Sequence, residues 1–325
     1  MLDLNKNKIG IFILAYNRVD HLKKVIKPLI KYTRQSDTIH IFSDNSNTNS
    51  LEVAKVRDYL KTLNSKKFKL IFRKKNLGLK LNWLKAYDYM FSIYDKVICL
   101  EDDTIIKKNF LYFMQKNLIK FANDKRIMSI TGYAFPTKLP KNYNYDIYFT
   151  DRSNSWGQAS WARVWKLFKK NKENNLDILL NKKNLNLLKK GGNDIVHMFI
   201  HDYLKYINSM QIWWTWNILK NGGLCINPVN SMLKNIGFDG SGTHYNKSVK
   251  SSKTIEIKKK KLKKLNSLLY HDVISKSFND QFEISNKLKI IYNIFPMFFV
   301  ICVYKFANHM NFFSKNNKVI KIFSF

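Results

Sequence analysis

The segment Lys96–Asp103, KVICLEDD, carries the pattern on which the fold depends. Its apolar residues Val97–Leu100 predict a strand that is buried on both faces, and three acids follow that strand directly. Similar short runs, rich in Ile, Val and Phe, recur about every 30 residues, which is the length of one βαβ unit. They are Lys8–Ala15, Thr38–Phe42, Phe68–Phe72 and Ile127–Thr131.

Helix-length amphipathic stretches separate these runs. They are Val19–Tyr32, Leu51–Leu63, Leu79–Ile93 and Asn109–Asn123. The alternation predicts an α/β fold with a doubly wound, mostly parallel sheet that is covered by helices. In such sheets ligands bind beyond the carboxyl ends of the strands, so the residues that directly follow each strand are the candidates for a site.

Changes in composition and hydrophobic pattern along the chain predict three parts. Residues 1–132 show the alternation of strands and helices, and residues 133–246 contain six of the seven tryptophans. Residues 247–325 combine a basic linker, with lysines at positions 258–261, and an apolar run over Ile290–Tyr304. This run is shorter than the roughly 20 residues that span a bilayer, so it predicts either an interfacial amphipathic segment or a terminal docking helix.

The composition limits the classes of protein. The 325 residues include 57 Lys+Arg and 23 Asp+Glu, a formal net charge of +34, and the hydrophobic content of 45% excludes a disordered chain. The charge permits nucleic acid, an anionic membrane or phosphorylated substrates as partners, and a genomic bias toward Lys and Asn codons is the alternative explanation. Three cysteines far apart in apolar contexts (Cys99, Cys225 and Cys302) and no visible secretory signal predict a cytoplasmic protein with reduced thiols.

Glu101, Asp102 and Asp103 form the sharpest functional feature of the sequence. Adjacent acids repel one another, and a hard cation such as Mg²⁺ or Mn²⁺ would relieve that repulsion by binding carboxylate and phosphate oxygens. The alternative is a solvated turn whose acids precede a helix over Thr104–Phe113. No GxGxxG motif follows the first strand and no GxxxxGK[ST] occurs, so dinucleotide-binding and P-loop proteins lose their main support.

The segment Leu100–Asp103 resembles the DxD-type motif of nucleotide-sugar glycosyltransferases with the GT-A fold. It is similar to the Glu-Asp-Asp form in the N-acetylglucosaminyltransferase I group and its bacterial relatives, and Ala15–Arg18 resembles the first strand-end motif of family-2-like transferases. Further similarities follow in the expected order within residues 8–246. They are Ser43–Asp44, Asn76–Gly78 with Asn82, Ser155–Trp161, and Asn235–Phe238 with Thr243–His244.

The resemblance implies a metal-dependent transferase that uses a nucleoside-diphosphate sugar, with a UDP-sugar favoured. The implied ligands of the Mn²⁺ or Mg²⁺ ion are Asp103 and His244. The implied donor-binding residues are Tyr16, Arg18, Asp44, Asn76, Gly78, Glu101 and Asp102. Arg18 and Asp44 would hold the base, and Glu101 and Asp102 would contact the ribose or the water around the metal.

Aromatic faces stack on sugar rings, which makes tryptophans candidates for acceptor binding, although tryptophans spaced along helices are more often core residues. The candidate acceptor-binding residues are Trp156, Gly157 and Trp213.

The catalytic base does not follow from the pattern. An inverting transferase needs a carboxylate that takes a proton from the acceptor hydroxyl. The bacterial relatives carry it in a segment like S-W-D-x-x-W, and Ser209–Trp214 places Gln211 at that position. Three explanations stay open: Asp202 or Asp194 is the base, the enzyme is retaining with Gln211 on the β face, or the chain binds donor without efficient turnover. Asp202, and with it inversion, is favoured.

The sequence therefore predicts a glycosyltransferase that adds a sugar to a bacterial surface glycan. The expected acceptor is lipid-linked, and the expected location is the inner face of the cytoplasmic membrane. A sugar nucleotidyltransferase is disfavoured because Ala15–Asp20 contains no glycine for a phosphate loop. A non-catalytic basic module that binds membrane or nucleic acid would leave Glu101–Asp103 unexplained, and no nucleic-acid-binding motif is recognisable.

Overall fold

A computed structural model of the chain describes residues 9–240 and 271–309. The strands are β1 (Ile9–Ala15), β2 (Ile39–Ser43), β3 (Phe68–Phe72), β4 (Lys96–Glu101), β5 (Thr104–Ile106), β6 (Ile127–Thr131), β7 (Ile147–Thr150), β8 (Gln158–Trp161), β9 (Leu224–Pro228) and β10 (Leu233–Asn235). The first helices are α1 (Val19–Tyr32), α2 (Leu51–Lys61), α3 (Gly78–Ile93), α4 (Phe110–Lys120), α5 (Ala162–Lys170) and α6 (Asn175–Leu180). The remaining helices are α7 (Lys182–Lys190), α8 (Asn193–Tyr203), α9 (Met210–Lys220), α10 (Asp272–Asn279), α11 (Asn286–Ile294) and α12 (Met297–His309).

Eight strands form one mixed sheet in the order β3-β2-β1-β4-β8-β6-β9-β7. β1, β2, β3 and β4 are parallel neighbours, and β6 and β9 run in the same direction. Only β7 and β8 are antiparallel to their neighbours. The predicted α/β fold with a mostly parallel, helix-covered sheet is therefore confirmed, and the carboxyl ends of β1, β2 and β4 meet at one edge.

The predicted strands and helices of residues 9–132 lie where the apolar pattern places them. β4 begins at Lys96 and its apolar residues Val97–Leu100 are buried, because the sheet carries helices on both faces. The short strand β8, sequence QASW, was not predicted, since two of its four residues are polar and it has no apolar run. It is nevertheless wholly buried between β4 and β6.

The acids after β4 do not precede a helix. Thr104–Ile106 forms strand β5, which pairs antiparallel with β10, and α4 begins only at Phe110. The alternative interpretation of Glu101–Asp103 as helix-capping acids is therefore wrong. The β5–β10 ribbon instead places Asn235, at the end of β10, opposite Thr104, which directly follows the acids.

Three hydrophobic cores organise the described residues, and the smallest packs Ile274 and Phe278 of α10 on Tyr148 of β7. The largest core extends from Ile11 to Leu233 along the sheet, and Trp161, Trp165 and Trp214 lie within it. A second core joins helices α6–α9 to α11 and α12. The predicted boundary at residues 132 and 133 falls inside the continuous sheet. The division into 1–132, 133–246 and 247–325 stays a prediction.

The apolar run Ile290–Tyr304 is divided between two helices, α11 and α12, with Phe295 and Pro296 at the turn. One side of each helix packs into the second core, as expected for a docking helix. Within 9–240 and 271–309, no helix is long and apolar enough to cross a membrane.

His40 gives the fold a measurable pH dependence. It is only 2% exposed in β2, and burial, together with the charge of Lys69, lowers the pKa of its imidazole to about 4. In the unfolded chain this imidazole binds a proton near pH ~6.5. The contribution of neutral His40 to the unfolding free energy is therefore fully present above that pH and is lost as the pH falls toward 4. We expect His40→Gln to reduce the loss of unfolding free energy between pH 7 and pH 5 by about 2 kcal/mol. Urea denaturation at both pH values measures this difference, and an unchanged pH dependence would contradict it.

Candidate active site

The parallel pairing of β1 with β4 builds the site. Leu14 lies opposite Glu101 in the register, so the residues after β1 lie beside the acids after β4. The backbone N–H of Tyr16 donates a hydrogen bond to Asp102 Oδ2 over 3.3 Å. The sheet thus places the two strand-end motifs of the sequence in direct contact.

Arg18 forms ion pairs with two of the three acids. Its Nη2 donates to Asp102 Oδ1 and lies 3.0 Å from Asp103 Oδ2, and all three side chains are largely buried. Burial alone would lower the pKa of the guanidinium, but the two carboxylates outweigh it and raise that pKa. The resemblance implied that Arg18 contacts the base, whereas the structure places its guanidinium on the carboxylates.

The acid cluster remains short of positive charge. Burial raises the pKa of Glu101 to about 8, with Asp103 and Asp102 adding to the effect and Ser155 and Arg18 opposing it. Burial also raises the pKa of Asp102, although Arg18 opposes the shift. With Glu101 largely protonated at neutral pH, the two remaining carboxylates still exceed the single charge of Arg18, so the cluster can accept a further cation.

Asp103 has the chemistry of a metal ligand. Its Oδ1 is buried and has no hydrogen-bond partner among the described residues. A hard divalent cation prefers such carboxylate oxygens, so the residues present fit the implied ion. His244, the second implied ligand, lies outside the described residues. Within 9–240 and 271–309, no group of three His, Cys, Asp or Glu side chains has the arrangement of a metal site.

The segment after β10 packs directly on Asp103. The N–H of Ile236 donates to the backbone oxygen of Asp103 over 2.9 Å. A Cβ at Gly237 would lie 2.3 Å from Asp103 Oδ2, so only glycine permits this approach. His21 Nε2 lies 3.1 Å from Asp239 Oδ2 and 3.3 Å from the oxygen of Ile236, which ties the segment to α1. Sequence reasoning missed His21, because a lone histidine on a helix gives no signal.

A second group of residues lines the crevice beside β2. Asp44 Oδ1 accepts hydrogen bonds from the N–H groups of Asn45 and Leu77, both over 2.9 Å. Asn76 donates to the hydroxyl of Tyr16 over 3.3 Å and accepts from the N–H of Gly78 over 2.8 Å. Gly78 has φ +70°, a conformation that glycine adopts without strain. The structure thus brings together Tyr16, Asp44, Asn76 and Gly78, four of the residues to which the resemblance gives a donor-binding role, and that role stays a prediction.

Trp156 and Gly157 directly precede β8 and follow Ser155, whose side chain hydrogen-bonds Glu101. Trp156 is half-buried and stacks on Phe135, with ring centroids 5.5 Å apart. Gly157 is buried at φ +63°, and a Cβ there would lie 2.4 Å from Leu233 and 2.8 Å from Phe110. Gly157 therefore permits close packing, and the acceptor-binding role assigned to it has no support in its surroundings.

Asp202 and Trp213 form a buried polar junction between helices. Asp202 Oδ2 accepts from Trp213 Nε1 over 3.0 Å, from Asn175 over 3.2 Å and from Lys80 over 3.3 Å. Lys80 also lies over the Trp213 ring, 5.1 Å from its centroid. The carboxylate thus joins α3, α6, α8 and α9, and it lies beside the residues that follow Gly78.

Gln211 lies at the start of α9 and donates to the Ser153 hydroxyl over 2.7 Å. Ser153 is two residues from Ser155, which contacts Glu101, so Gln211 is linked to the acid cluster through one short segment. Asp194, the other alternative for a base, is buried in an ion pair with Arg152 at 2.7 Å. Burial raises the pKa of Asp194 and Arg152 opposes that shift, which makes Asp194 a structural partner of Arg152.

Comparisons with known proteins bear on the family of the chain. The family model described as glycosyl transferase family 2 matches residues 10–176, more than half of the chain, and this range includes both strand-end motifs. A search of curated proteins finds no match.

Three solved structures illustrate the likeness. S. aureus TarS 1–349 is 13% identical with a TM-score of 0.38, covering 68% of this chain and 57% of that one. A mannosyltransferase from Pyrobaculum calidifontis in complex with GDP-Man and Mn²⁺ is 10% identical with a TM-score of 0.36, covering 66% and 68%. TarS 1–349 in complex with UDP-GlcNAc is 16% identical with a TM-score of 0.33, and the match covers 49% of this chain and 46% of that one. At TM-scores below 0.5 these likenesses carry no statement about substrate.

The Arg18 contacts predict a link between stability and divalent cations. Arg18→Ala leaves two buried carboxylates uncompensated, which we expect to lower the unfolding free energy by about 3 kcal/mol. Mn²⁺ should restore part of this loss, because it supplies the missing positive charge, and should raise the Tm of the variant more than that of the wild type. Thermal unfolding with Mn²⁺ and with EDTA measures both effects.

The matched control for this prediction is Arg34→Ala. Arg34 pairs with Asp37 at 3.0 Å, but its side chain is 76% exposed, so we expect a loss of less than about 1 kcal/mol and the same response to Mn²⁺ as the wild type. An Arg18→Ala variant that is as stable as the control would contradict the assigned role of the guanidinium.

Proposed function

The chain belongs to glycosyl transferase family 2, and we propose that it transfers a sugar from a nucleoside-diphosphate sugar to a lipid-linked bacterial surface glycan. It is a glycosyltransferase by family. The observation that carries the finer proposal is the buried cluster of Asp102 and Asp103 at the carboxyl end of β4, beside the ends of β1 and β2. Ligands of such sheets bind at this edge.

A divalent cation, Mn²⁺ or Mg²⁺, is part of the proposal. Asp103 would hold it through the buried Oδ1 that has no partner in the described part of the chain, with Asp102 beside it. Bound there, the ion supplies positive charge that stabilises the leaving nucleoside diphosphate. Arg18 holds both carboxylates in place and keeps the cluster folded before the cation binds.

The residues around β2 would bind the nucleoside. Tyr16 is 38% exposed and presents an aromatic ring at the crevice edge, and Asp44 orients the loop through Leu77. Arg73, Lys74 and Lys75 follow β3 at the same edge and provide positive charge for a diphosphate. UDP stays the favoured nucleotide.

Asp202 stays the favoured base and inversion the favoured outcome. Its ion pair with Lys80 and the hydrogen bond from Trp213 fix the position of the carboxylate between the helices. Gln211, linked through Ser153 to the segment that contacts Glu101, would orient the acceptor or the sugar. A lipid-linked acceptor fits an enzyme at the cytoplasmic face of the membrane.

Asp103→Asn tests the donor and metal site. We expect a nucleoside-diphosphate sugar with Mn²⁺ to raise the Tm of the wild type by several degrees at saturation, because a ligand at 100 times its Kd adds about 2.7 kcal/mol. Asp103→Asn should lose this shift, since it removes the anionic ligand of the cation. The donor panel includes UDP-GlcNAc and GDP-Man, and the readout is thermal unfolding with each donor.

Asp58→Asn is the matched control, because the Asp58 side chain is 69% exposed in a surface pair with Lys61. It should keep the full shift. If no donor shifts the wild type, the transferase proposal fails; if Asp103→Asn shifts like the control, the metal assignment fails.

Asp202→Asn tests the base. We expect it to lower kcat by about 10²- to 10⁴-fold, because asparagine cannot take up the proton, while the donor-induced shift of the Tm stays unchanged. Asn175→Ala removes one donor from the same oxygen and should change kcat only a few-fold. Release of nucleoside diphosphate in the presence of lipid-linked glycan measures both rates. Equal losses of kcat in the two variants would show that Asp202 acts by holding the helices together and is not the base.

A further inference from the structure

The α11–α12 hairpin presents an apolar surface to solvent. Seventeen large hydrophobic side chains are exposed among the described residues, and seven of them lie within residues 290–306. We call these seven the hairpin face: Ile290, Ile294, Phe295, Phe298, Phe299, Val303 and Phe306. Four are phenylalanines, and Phe295 and Phe299 stack with centroids 5.5 Å apart. Isolated exposed apolar residues are ordinary, but a contiguous cluster of this kind marks a surface that binds something apolar.

The opposite side of the hairpin is fixed to the protein. Met297, Val300, Ile301 and Tyr304 of α12 are buried in the second core. The Tyr292 hydroxyl of α11 lies 2.6 Å from His197 Nδ1 on α8. The hairpin is therefore docked through one side, and the hairpin face points away from the core in a set orientation. The buried side stays packed on the protein, so only the hairpin face is available to contact another molecule.

The hairpin and the residues after it carry charge of one sign, and the acid just before them, Glu283, pairs with Lys289. Residues 284–325 contain six lysines and no Asp or Glu. Three of these lysines, Lys287, Lys289 and Lys305, lie on the hairpin itself. Such a surface attracts anionic headgroups, whereas the same surface on a second copy of the chain would repel it. The phenylalanines and the lysines together match the two layers of an anionic bilayer, an apolar interior beneath a negative surface.

We propose that the hairpin face inserts into the interfacial layer of an anionic lipid bilayer and holds the enzyme there. The hairpin packs on α8, which carries Asp202, so the docked enzyme would keep its acceptor-side helices close to the lipid surface. This position suits an acceptor whose lipid part stays in the bilayer. The proposal rests on the proposed function only for that acceptor; the binding of lipid is independent of transfer.

The test is vesicle flotation of the full chain. The wild type should bind vesicles of phosphatidylcholine with 30% phosphatidylglycerol, should bind pure phosphatidylcholine vesicles more weakly, and should lose part of its binding in high salt. The variant Phe298→Asn/Phe299→Asn/Phe306→Asn should partition into the anionic vesicles about 100-fold less, because three exposed apolar side chains are removed.

The control variant is Leu51→Asn/Tyr112→Asn/Ile119→Asn. These residues are 63%, 66% and 66% exposed, close to the 67%, 52% and 66% of the three phenylalanines, but they lie on other helices. This control should bind vesicles like the wild type. Near-UV circular dichroism and the Tm show whether each variant is folded, and Phe298→Trp adds a direct probe, since brominated lipids should quench its fluorescence.

Three results would overturn the proposal. They are a wild type that does not bind anionic vesicles, a folded triple variant that binds like the control, and a wild-type dimer that the triple variant converts to a monomer. The last result would show that a second copy covers the hairpin face. Asp103→Asn should bind vesicles normally, so a failure of donor binding and a failure of membrane binding are separately visible.

Discussion

The contacts of Arg18 with Asp102 and Asp103 are the constraint on which the rest of the site depends. Two adjacent carboxylates that are largely buried would be strongly destabilising without a partner, since an uncompensated buried charge costs several kcal/mol. The parallel pairing of β1 with β4 supplies the guanidinium from the neighbouring strand end. The sheet order thus makes the acid cluster compatible with a folded protein, and Asp103 Oδ1, which has no hydrogen-bond partner in the described part of the chain, leaves the cluster open to a cation.

The β5–β10 ribbon and the segment after it extend this arrangement to the second half of the chain. β5 follows the acids directly, so its antiparallel partner β10 must end beside them. Gly237 is required there because any Cβ would collide with Asp103. The contact of His21 with Asp239 then connects this segment to α1, so that residues from both halves surround one carboxylate.

The second core connects helices rather than strands. It joins the helices that carry Asp202 and Gln211 to the C-terminal hairpin, through buried contacts such as His197 with Tyr292. In the proposed function, the sheet would hold the donor side of the crevice and the helical layer the acceptor side. If the hairpin face binds lipid, the acceptor side is also the side that faces the membrane.

The first half of the fold follows from the local sequence pattern, because strands buried on both faces are uninterrupted apolar runs and the helices between them are amphipathic. The same pattern identifies Glu101–Asp103 and Arg18 as candidates for a site, since charged residues directly after a buried strand are rarely placed there for stability. How these residues contact one another depends on the three-dimensional packing of the chain. The insertion of β8 between β4 and β6, the placement of Arg18 on the acids, and the close approach of Gly237 to Asp103 all depend on contacts between distant segments. Such contacts leave no local pattern, because a short polar strand, a lone histidine or a glycine looks the same in the sequence wherever the fold places it.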